Sequence, residues 1–220
     1  MRHPWAIVCD FDGTAVTEDI GDKVSQRFAG YQAWRQAEDE YRAGAYGFSR
    51  LLERIFEPIT ATREEIAAYA RTEAVLRPGF EQLVEACRAA GRPFVVCSAG
   101  LDVYIEPVLE RLPAALRSHL QLRANRARCG PAGLAIDFHR AGSPGDGCGS
   151  CGFCKGAVVR ELRSAGNRVV VCGDGTADRC AADAADFVFS TRRLTAYCRE
   201  RGIPHRPFQT FHEVMEHFPA

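Results

Sequence analysis

Short apolar runs that end in polar turns recur along the chain and predict the strands of a buried sheet. The first run, Ile7-Val8-Cys9, ends in Asp10-Phe11-Asp12-Gly13-Thr14. A second run, residues 93–97, leads into Ser98-Ala99-Gly100, and a third, residues 168–172, leads into Gly173-Asp174. Continuous apolar runs of this length are typical of strands that are covered on both faces. Helical patterns separate them, so the predicted fold class is α/β.

The stretch from residue 15 to residue 77 has no convincing strand and predicts helices. Thr62-Arg63-Glu64-Glu65 has the form of a capping box, which opens a helix. The aromatic residues of this stretch are typical of a helical core, with one or two as candidates to line a substrate cavity. Apolar residues recur at helical spacing at Ile20, Val24 and Phe28, and again at Leu51, Leu52, Ile55 and Phe56.

Two apolar segments after the second strand predict a β-hairpin. Residues 120–125 and 133–139 are joined through Gly130-Pro131-Ala132-Gly133. The loop 141–152 that follows is rich in glycine and contains serine and proline, so we expect irregular structure there. Residues 186–189 predict another short strand, and Gly202 should end a helix near the carboxyl terminus.

Two carboxylates one residue apart, Asp10 and Asp12, follow the first run. In an open α/β sheet, ligands bind beyond the carboxyl ends of the strands. Side chains alternate along a strand, so the two carboxylates would project to one side if the extended conformation continued through Phe11. Their repulsion is relieved by a cation or a shared proton, and Mg²⁺ prefers oxygen ligands. The residues therefore indicate a metal site, with an ordinary polar turn as the alternative.

Polar side chains also follow the other predicted strands. Asp174 and Asp178 lie in the glycine-rich turn after the third run, and Ser98 ends the second. Lys155 begins the helical segment before the third run. Two acidic strand ends, one hydroxyl and one lysine together predict a site for a metal ion and a phosphate group.

In this order the motifs resemble those of the haloacid dehalogenase superfamily of aspartyl-phosphate phosphotransferases, whose Asp-x-Asp-x-Thr signature stands here at residues 10–14. The resemblance implies a Rossmann-like doubly wound parallel sheet with an inserted helical cap. It implies a core of residues 1–14 and 78–220 and a cap of residues 15–77. It also implies a Mg²⁺-dependent phosphatase that hydrolyses a small phosphate monoester through an aspartyl-phosphate.

The same resemblance assigns roles to individual residues. Asp10 would be the nucleophile and Asp12 the general acid and base, with the backbone carbonyl of Asp12 facing the metal. Ser98 and Lys155 would contact the phosphate, and Asp19 in the first cap helix would contact the substrate. The Mg²⁺ ligands implied are Asp10, Asp12, Asp174 and Asp178, and the substrate-binding loop implied is Ser98, Ala99 and Gly100.

The helical insert resembles the cap of the phosphoserine-phosphatase-like branch, but Asp19 stands where those enzymes have glutamate. The element at residues 148–155 and the tail at residues 204–211 look like those of the methionine-salvage phosphatases that act on 2-hydroxy-3-keto-5-methylthiopentenyl-1-phosphate. The cysteine-lysine element is also similar to that of phosphoethanolamine/phosphocholine phosphatases. A sugar-phosphate mutase and a non-enzymatic phosphate-binding or regulatory module are the alternatives of other classes.

Three cysteines, Cys148, Cys151 and Cys154, recur at a spacing that lets thiolates converge on one zinc ion. A closed structural site needs a fourth ligand, for which Cys129 and His139 are candidates. A redox-sensitive thiol cluster and incidental loop composition are the alternatives. We expect a structural role for this loop rather than a catalytic one.

Composition narrows the set of partners. Lysine plus arginine and aspartate plus glutamate both number 28, so the formal net charge is zero and nothing favours nucleic acid. We see no signal peptide and no apolar run long enough to span a membrane, so we expect a cytoplasmic protein whose ten cysteines are reduced. The expected partner is a small phosphorylated metabolite, and the expected state is monomer or homodimer.

Overall fold

The protein, analysed as a computed structural model, is described for residues 4–139 and 152–217. The described residues form a seven-stranded sheet in the order β4-β3-β2-β1-β5-β6-β7, parallel except for the antiparallel pair β3 and β4. The strands are β1 (Trp5–Cys9), β2 (Phe94–Leu101), β3 (Leu120–Gly130), β4 (Gly133–Asp137), β5 (Arg168–Gly173), β6 (Phe187–Ser190) and β7 (His205–Pro207).

Helices flank this sheet and fill the stretch between β1 and β2. They are α1 (Ile20–Phe28), α2 (Tyr31–Arg42), α3 (Phe48–Phe56), α4 (Arg63–Glu73), α5 (Phe80–Ala89), α6 (Asp102–Leu109), α7 (Ala114–His119), α8 (Lys155–Ser164), α9 (Arg179–Ala184), α10 (Arg192–Arg201) and α11 (Phe211–His217). No helix in these described ranges is long and apolar enough to cross a membrane.

The α/β fold class predicted from the apolar runs is confirmed. Strand β1 lies near the middle of the sheet, with β2 on one side and β5 on the other. Residues 6–9 are fully buried, as a strand covered on both faces requires. The strand order reverses beside β1, which is where open α/β sheets form their ligand crevice.

The predicted helical insert is present as α1–α4. Helix α3 turns Leu51, Leu52, Ile55 and Phe56 into the core, which accounts for their helical spacing. The predicted capping box opens α4, where Thr62 and Glu65 satisfy each other's backbone N–H groups. The chain enters and leaves the insert through two short segments that pair by the antiparallel bridge Val16–Leu76. The division into core and cap stays a prediction.

The hairpin is confirmed, and β3 extends beyond the predicted segment to Gly130. Strand β7 was not predicted, because it follows Pro204, ends in Pro207 and carries no alternation of apolar and polar side chains. Gly202 ends α10 in the left-handed conformation (φ 66°), as expected of a C-terminal glycine. Residues 141–151 of the predicted irregular loop, with Cys148 and Cys151, lie outside the described residues.

Candidate active site

Side chains from four elements meet at the carboxyl edge of the sheet. Asp10 directly follows β1, Ser98 lies in β2, Asp174 follows β5, and Lys155 is the first residue of α8. All four line one cavity of about 390 Å³ that is closed on its far side by helices of the insert. The sequence analysis predicted that these residues come together, and the structure places them at one edge of the sheet.

Three carboxylates form a compact cluster, and two of them, Asp10 and Asp174, line this cavity. One oxygen each from Asp10, Asp174 and Asp178 lies within 4.8 Å of the other two. Burial raises the pKa of Asp10 well above its usual value, and the charge of Asp178 raises it further. Burial and Asp178 likewise raise the pKa of Asp174. The cluster is therefore a concentration of negative charge that a cation would stabilise.

Lys155 neutralises part of this charge. Its Nζ lies 2.5 Å from Oδ1 of Asp10 and 2.6 Å from Oδ1 of Asp178, and its side chain is only 2% exposed. Burial alone would lower the pKa of Lys155, but the two carboxylates outweigh it and raise the pKa well above the usual value. Lys155 therefore stays charged, as a contact for a phosphate group must.

The donor set fits Mg²⁺, because it offers carboxylate oxygens and a net negative charge. The three carboxylates do not contribute equally. Both oxygens of Asp178 already accept hydrogen bonds, Oδ1 from Lys155 and Oδ2 from the backbone N–H groups of Asp174 (2.9 Å) and Gly175 (3.0 Å). Asp178 therefore orients the loop that carries Asp174, while Asp10 and Asp174 keep oxygens for a metal ion.

The carboxylate of Asp12 lies apart from the cluster. Strand β1 ends at Cys9, and residues 11–15 form a tight turn closed by hydrogen bonds from Ala15 N to Asp10 O and from Val16 N to Phe11 O, both 3.1 Å. The extended conformation does not continue through Phe11, so strand alternation is not what directs Asp10 and Asp12, although both residues line the same cavity. The backbone carbonyl of Asp12 remains its predicted contribution to the metal site.

Asp12 instead accepts hydrogen bonds from the helical insert and from the core. Its Oδ1 accepts from the backbone N–H of Ile20 at 2.8 Å, and its Oδ2 accepts from the hydroxyl of Tyr104 at 2.9 Å. Burial, and after it the charge of Asp19, raises the pKa of Asp12 to about 8. A carboxyl group that is protonated near neutral pH can act as a general acid.

Asp19 caps the first helix of the insert and lines the same cavity. Its Oδ1 accepts from the backbone N–H of Asp22 at 2.8 Å. Burial, followed by the charge of Asp22, raises the pKa of Asp19 to about 7. The predicted contact between Asp19 and a substrate stays a prediction.

The carboxyl end of β2 is held by a residue that the sequence analysis did not single out. The backbone N–H of Gly100 donates to Ser98 Oγ at 2.9 Å, while Asn125 in β3 donates to the carbonyl of Ala99 at 2.7 Å. Asn125 is fully buried, and its own Oδ1 accepts from the backbone N–H of His139. The sequence signal that could have identified Asn125 is its position as a polar residue in the first strand of the hairpin, since a buried amide there needs hydrogen-bonding partners.

Two arginines brace the site and carried no recognisable sequence signal. Arg192 donates to Asp174 Oδ2 at 3.1 Å and to the carbonyl of Thr17 at 2.8 Å. Its backbone has a positive φ of 49°, which among the described residues is otherwise found in glycines. Arg77 donates to the carbonyls of Gly13 (2.6 Å) and Thr14 (2.7 Å) in the turn after Asp12. Each guanidinium therefore links a turn at the carboxyl edge of the sheet to a segment that is remote in sequence.

The far wall of the cavity is formed by the insert and has an apolar part and a charged part. Helix α3 contributes a largely apolar surface, while α2 contributes Glu38 and Arg42, whose side chains pair with each other at 3.0 Å. The apolar wall consists of Phe48, Leu51, Leu52, Ile55 and Phe56.

Of the predicted zinc ligands, Cys148 and Cys151 lie outside the described residues, and the described Cys129, His139 and Cys154 do not form a metal-binding group with one another. Cys154 is buried and directly precedes α8, and Cys129 is partly buried in β3. Within residues 4–139 and 152–217, the group that would hold a metal ion is the aspartate cluster. Zinc binding by Cys148, Cys151 and Cys154 stays a prediction.

Comparison with known proteins gives a family and a set of relatives. The family model described as haloacid dehalogenase-like hydrolase matches residues 7–183. A 2-hydroxy-3-keto-5-methylthiopentenyl-1-phosphate phosphatase of Bacillus velezensis is 31% identical over 215 residues, 97% of this chain and 89% of the relative. The bifunctional enzyme MtnB/MtnX of Bacillus licheniformis is 33% identical over 97% of this chain and 49% of its own length.

The solved structures show similarity of fold. A solved structure of a phospho-aspartyl intermediate analogue of phosphoserine phosphatase superposes with a TM-score of 0.72, at 16% identity, over 100% of both chains. A substrate-bound phosphoserine phosphatase complex gives a TM-score of 0.73, also at 16% identity and over 100% of both chains.

Proposed function

The chain belongs to the haloacid dehalogenase-like hydrolase family, and we propose that it is a phosphatase that hydrolyses a small phosphate monoester through phosphorylation of Asp10. The observation that carries this proposal is the position of Asp10, which lines the cavity, lies 2.5 Å from Lys155 and belongs to the aspartate cluster. A module that only bound phosphate would not need a buried carboxylate there, because the carboxylate repels the phosphate dianion.

We assign the metal site to Asp10, Asp174 and the backbone carbonyl of Asp12, with Asp178 as the residue that orients Asp174. Mg²⁺ bound there would supply positive charge to the transferring phosphoryl group. Family phosphatases use this ion, and the oxygen donors of this chain suit it. The structural zinc site of the cysteine loop is a separate proposal, which elemental analysis of the purified protein would test.

The chain's own residues then divide the chemistry between them. A carboxylate oxygen of Asp10 forms a bond to phosphorus while the bond from phosphorus to the ester oxygen breaks. Asp12 gives its proton to that departing oxygen, and Lys155 and Ser98 hold the phosphoryl oxygens. Asp12 next takes a proton from water, whose oxygen attacks phosphorus and releases Asp10.

We propose 2-hydroxy-3-keto-5-methylthiopentenyl-1-phosphate as the substrate. The relative of Bacillus velezensis that is named for this substrate supports the assignment, and so does the cavity. Its apolar α3 wall suits an uncharged thioether tail, whereas the ammonium and carboxylate of phosphoserine would find Glu38 and Arg42 already paired with each other. Residues 15–77 would act as the cap that selects this tail and excludes water.

A panel of phosphate esters tests the substrate. Phosphate release from the thiopentenyl ester should exceed release from phosphoserine, phosphoethanolamine and phosphocholine by about tenfold or more in kcat/KM, because the apolar wall binds the uncharged tail. A preference for any charged ester would contradict the assignment while leaving the phosphatase proposal standing.

Rapid quenching with a radiolabelled phosphate ester tests the mechanism. We expect label on Asp10, none in Asp10→Asn, and normal labelling in Asp183→Asn, a matched change of an exposed aspartate outside the cavity. Label on serine or histidine, or the absence of turnover with every ester, would refute the proposed function.

A further inference from the structure

Tyr104 in α6 directs its hydroxyl out of the hydrophobic core and onto Asp12. The hydroxyl donates to Asp12 Oδ2 at 2.9 Å, and the side chain is 1% exposed. The other oxygen of Asp12, Oδ1, accepts from the backbone N–H groups of Ile20 (2.8 Å) and Gly21 (3.4 Å) at the start of α1. The carboxyl group is therefore held from two sides, by a core helix and by the first helix of the insert.

The surroundings leave a space that the Tyr104 hydroxyl fills. A Cβ at Gly21 would lie 2.8 Å from the hydroxyl oxygen, and a Cβ at Gly100 would overlap it. Neither glycine has a positive φ, so it is the hydroxyl that requires their lack of a side chain. The Tyr104 ring stacks on Phe56 of α3 (6.2 Å between centroids) and contacts Phe11 (6.3 Å), which fixes its direction.

These contacts distinguish the two oxygens of Asp12. Oδ1 faces two backbone donors, which cannot accept a proton, so the proton that Asp12 transfers belongs on Oδ2. The Tyr104 hydroxyl occupies one lone pair of Oδ2 and thereby fixes the direction of the other. Tyr104 and Asp12 both line the cavity, and we take that free position to face the space where an ester would lie.

We propose that Tyr104 is a positioning residue that aims Oδ2 of Asp12 at the leaving oxygen of the substrate, and this inference rests on the phosphatase activity proposed above. The tyrosine keeps its own proton throughout. When Asp10 bonds to phosphorus and the ester bond breaks, the proton moves from Asp12 Oδ2 to the departing alcohol oxygen, and the hydroxyl of Tyr104 stabilises the carboxylate that remains.

The role predicts a dependence on the leaving group. An alcohol is a poor leaving group and needs the proton, whereas 4-nitrophenolate departs without it. The parameter kcat/KM reports the steps up to loss of the leaving group, so it isolates the step that Asp12 assists as an acid. Benzyl phosphate and 4-nitrophenyl phosphate are probes of similar shape that differ in this respect.

We expect Tyr104→Phe to lower kcat/KM for benzyl phosphate by about tenfold or more and to change that for 4-nitrophenyl phosphate by less than about threefold. Gly21→Ala, whose methyl group would displace the hydroxyl, should give the same asymmetric loss with a different perturbation of packing. Tyr197→Phe is the matched control, because it removes a tyrosine hydroxyl bonded to an aspartate, Asp183, outside the cavity.

A second comparison shows whether Tyr104 acts through Asp12. In an Asp12→Ala background, adding Tyr104→Phe should leave turnover of 4-nitrophenyl phosphate unchanged. The positioning role would be overturned if Tyr104→Phe and Gly21→Ala lowered kcat/KM equally for the two esters or lowered it for neither. A further loss of turnover in the Asp12→Ala background would also overturn it. A wild-type protein that hydrolyses neither ester nor the proposed substrate would instead overturn the phosphatase proposal, and this role with it.

Discussion

The buried ammonium of Lys155 lies 2.6 Å from Oδ1 of Asp178, and this pair joins the first residue of α8 to the loop after β5. Both side chains are almost fully buried, at 2% and 1% exposure. Coulombic attraction at such a site is little screened by solvent. The pair therefore fixes two elements of the candidate active site relative to each other.

Lys155→Met should destabilise the protein as well as abolish turnover. The change leaves buried carboxylates without their cation, which costs about 3–5 kcal/mol of unfolding free energy. Urea denaturation measures the loss, and Mg²⁺ should restore part of it. Lys23→Met is the control, because its ion pairs with Glu18 and Glu73 are partly exposed and are worth about 1 kcal/mol or less each. Equal effects of the two changes would contradict the prediction.

Asp10→Asn should separate activity from stability. The amide cannot attack phosphorus, so turnover and labelling should both disappear. Because burial and Asp178 raise the pKa of Asp10, its charge opposes folding in the absence of metal. We therefore expect the variant to be more stable by about 0.5–2 kcal/mol in metal-free buffer at neutral pH. A less stable variant there would show that Lys155 outweighs the repulsion.

Removal of Mg²⁺ should abolish activity, and Asp174→Ala should raise the Mg²⁺ concentration required or eliminate turnover. Calorimetric titration with Mg²⁺ alone provides a readout independent of catalysis, and it should show weaker binding in the variant. Asp183→Ala, outside the cavity, should bind Mg²⁺ as the wild type does. Full activity after chelation would refute the metal assignment.

Arg77→Lys should impair catalysis although the charge is kept. The guanidinium donates to the carbonyls of Gly13, Thr14 and Gln209 at 2.6, 2.7 and 3.0 Å, a fork that an ammonium cannot reproduce. We expect a loss of about 1–3 kcal/mol in stability and a lower kcat with little change in KM. Arg88→Lys, whose exposed side chain pairs with Glu85, should change neither.

Asp22 should make stability depend on pH. Burial is the main cause that raises its pKa to about 6, against which the Trp34 hydrogen bond acts. The folded-state pKa lies above the unfolded value of about 4, so the folded state binds the proton more tightly. The contribution of Asp22 to stability is therefore greatest below about pH 4 and is lost as the pH rises through 6. Asp22→Asn should flatten the unfolding free energy between those values, on the order of 1–3 kcal/mol. An unchanged profile would contradict the assigned cause.

The amino-acid sequence by itself determined the sheet's central strands and the residues at their ends. Apolar runs such as residues 6–9 are buried strands because a strand covered on both faces must be apolar throughout, and the polar turn that stops each run marks the carboxyl edge. Parallel strands bring those ends together, so Asp10, Ser98 and Asp174 were predictable as neighbours. Local chemistry also sufficed for the capping box at Thr62 and the helix end at Gly202.

Only the tertiary structure decided how these residues are held. Asp12 meets Tyr104 across 92 positions of sequence, and Arg77 meets Gln209 across 132. Apolar periodicity indicates which face of a helix is buried, and Tyr104 lies among the buried residues of α6. Apolar periodicity does not indicate which partner the polar group of a buried side chain will bind. That pairing depends on how α6 and α1 pack around the turn at residues 11–15, which is a property of the assembled fold rather than of any local segment.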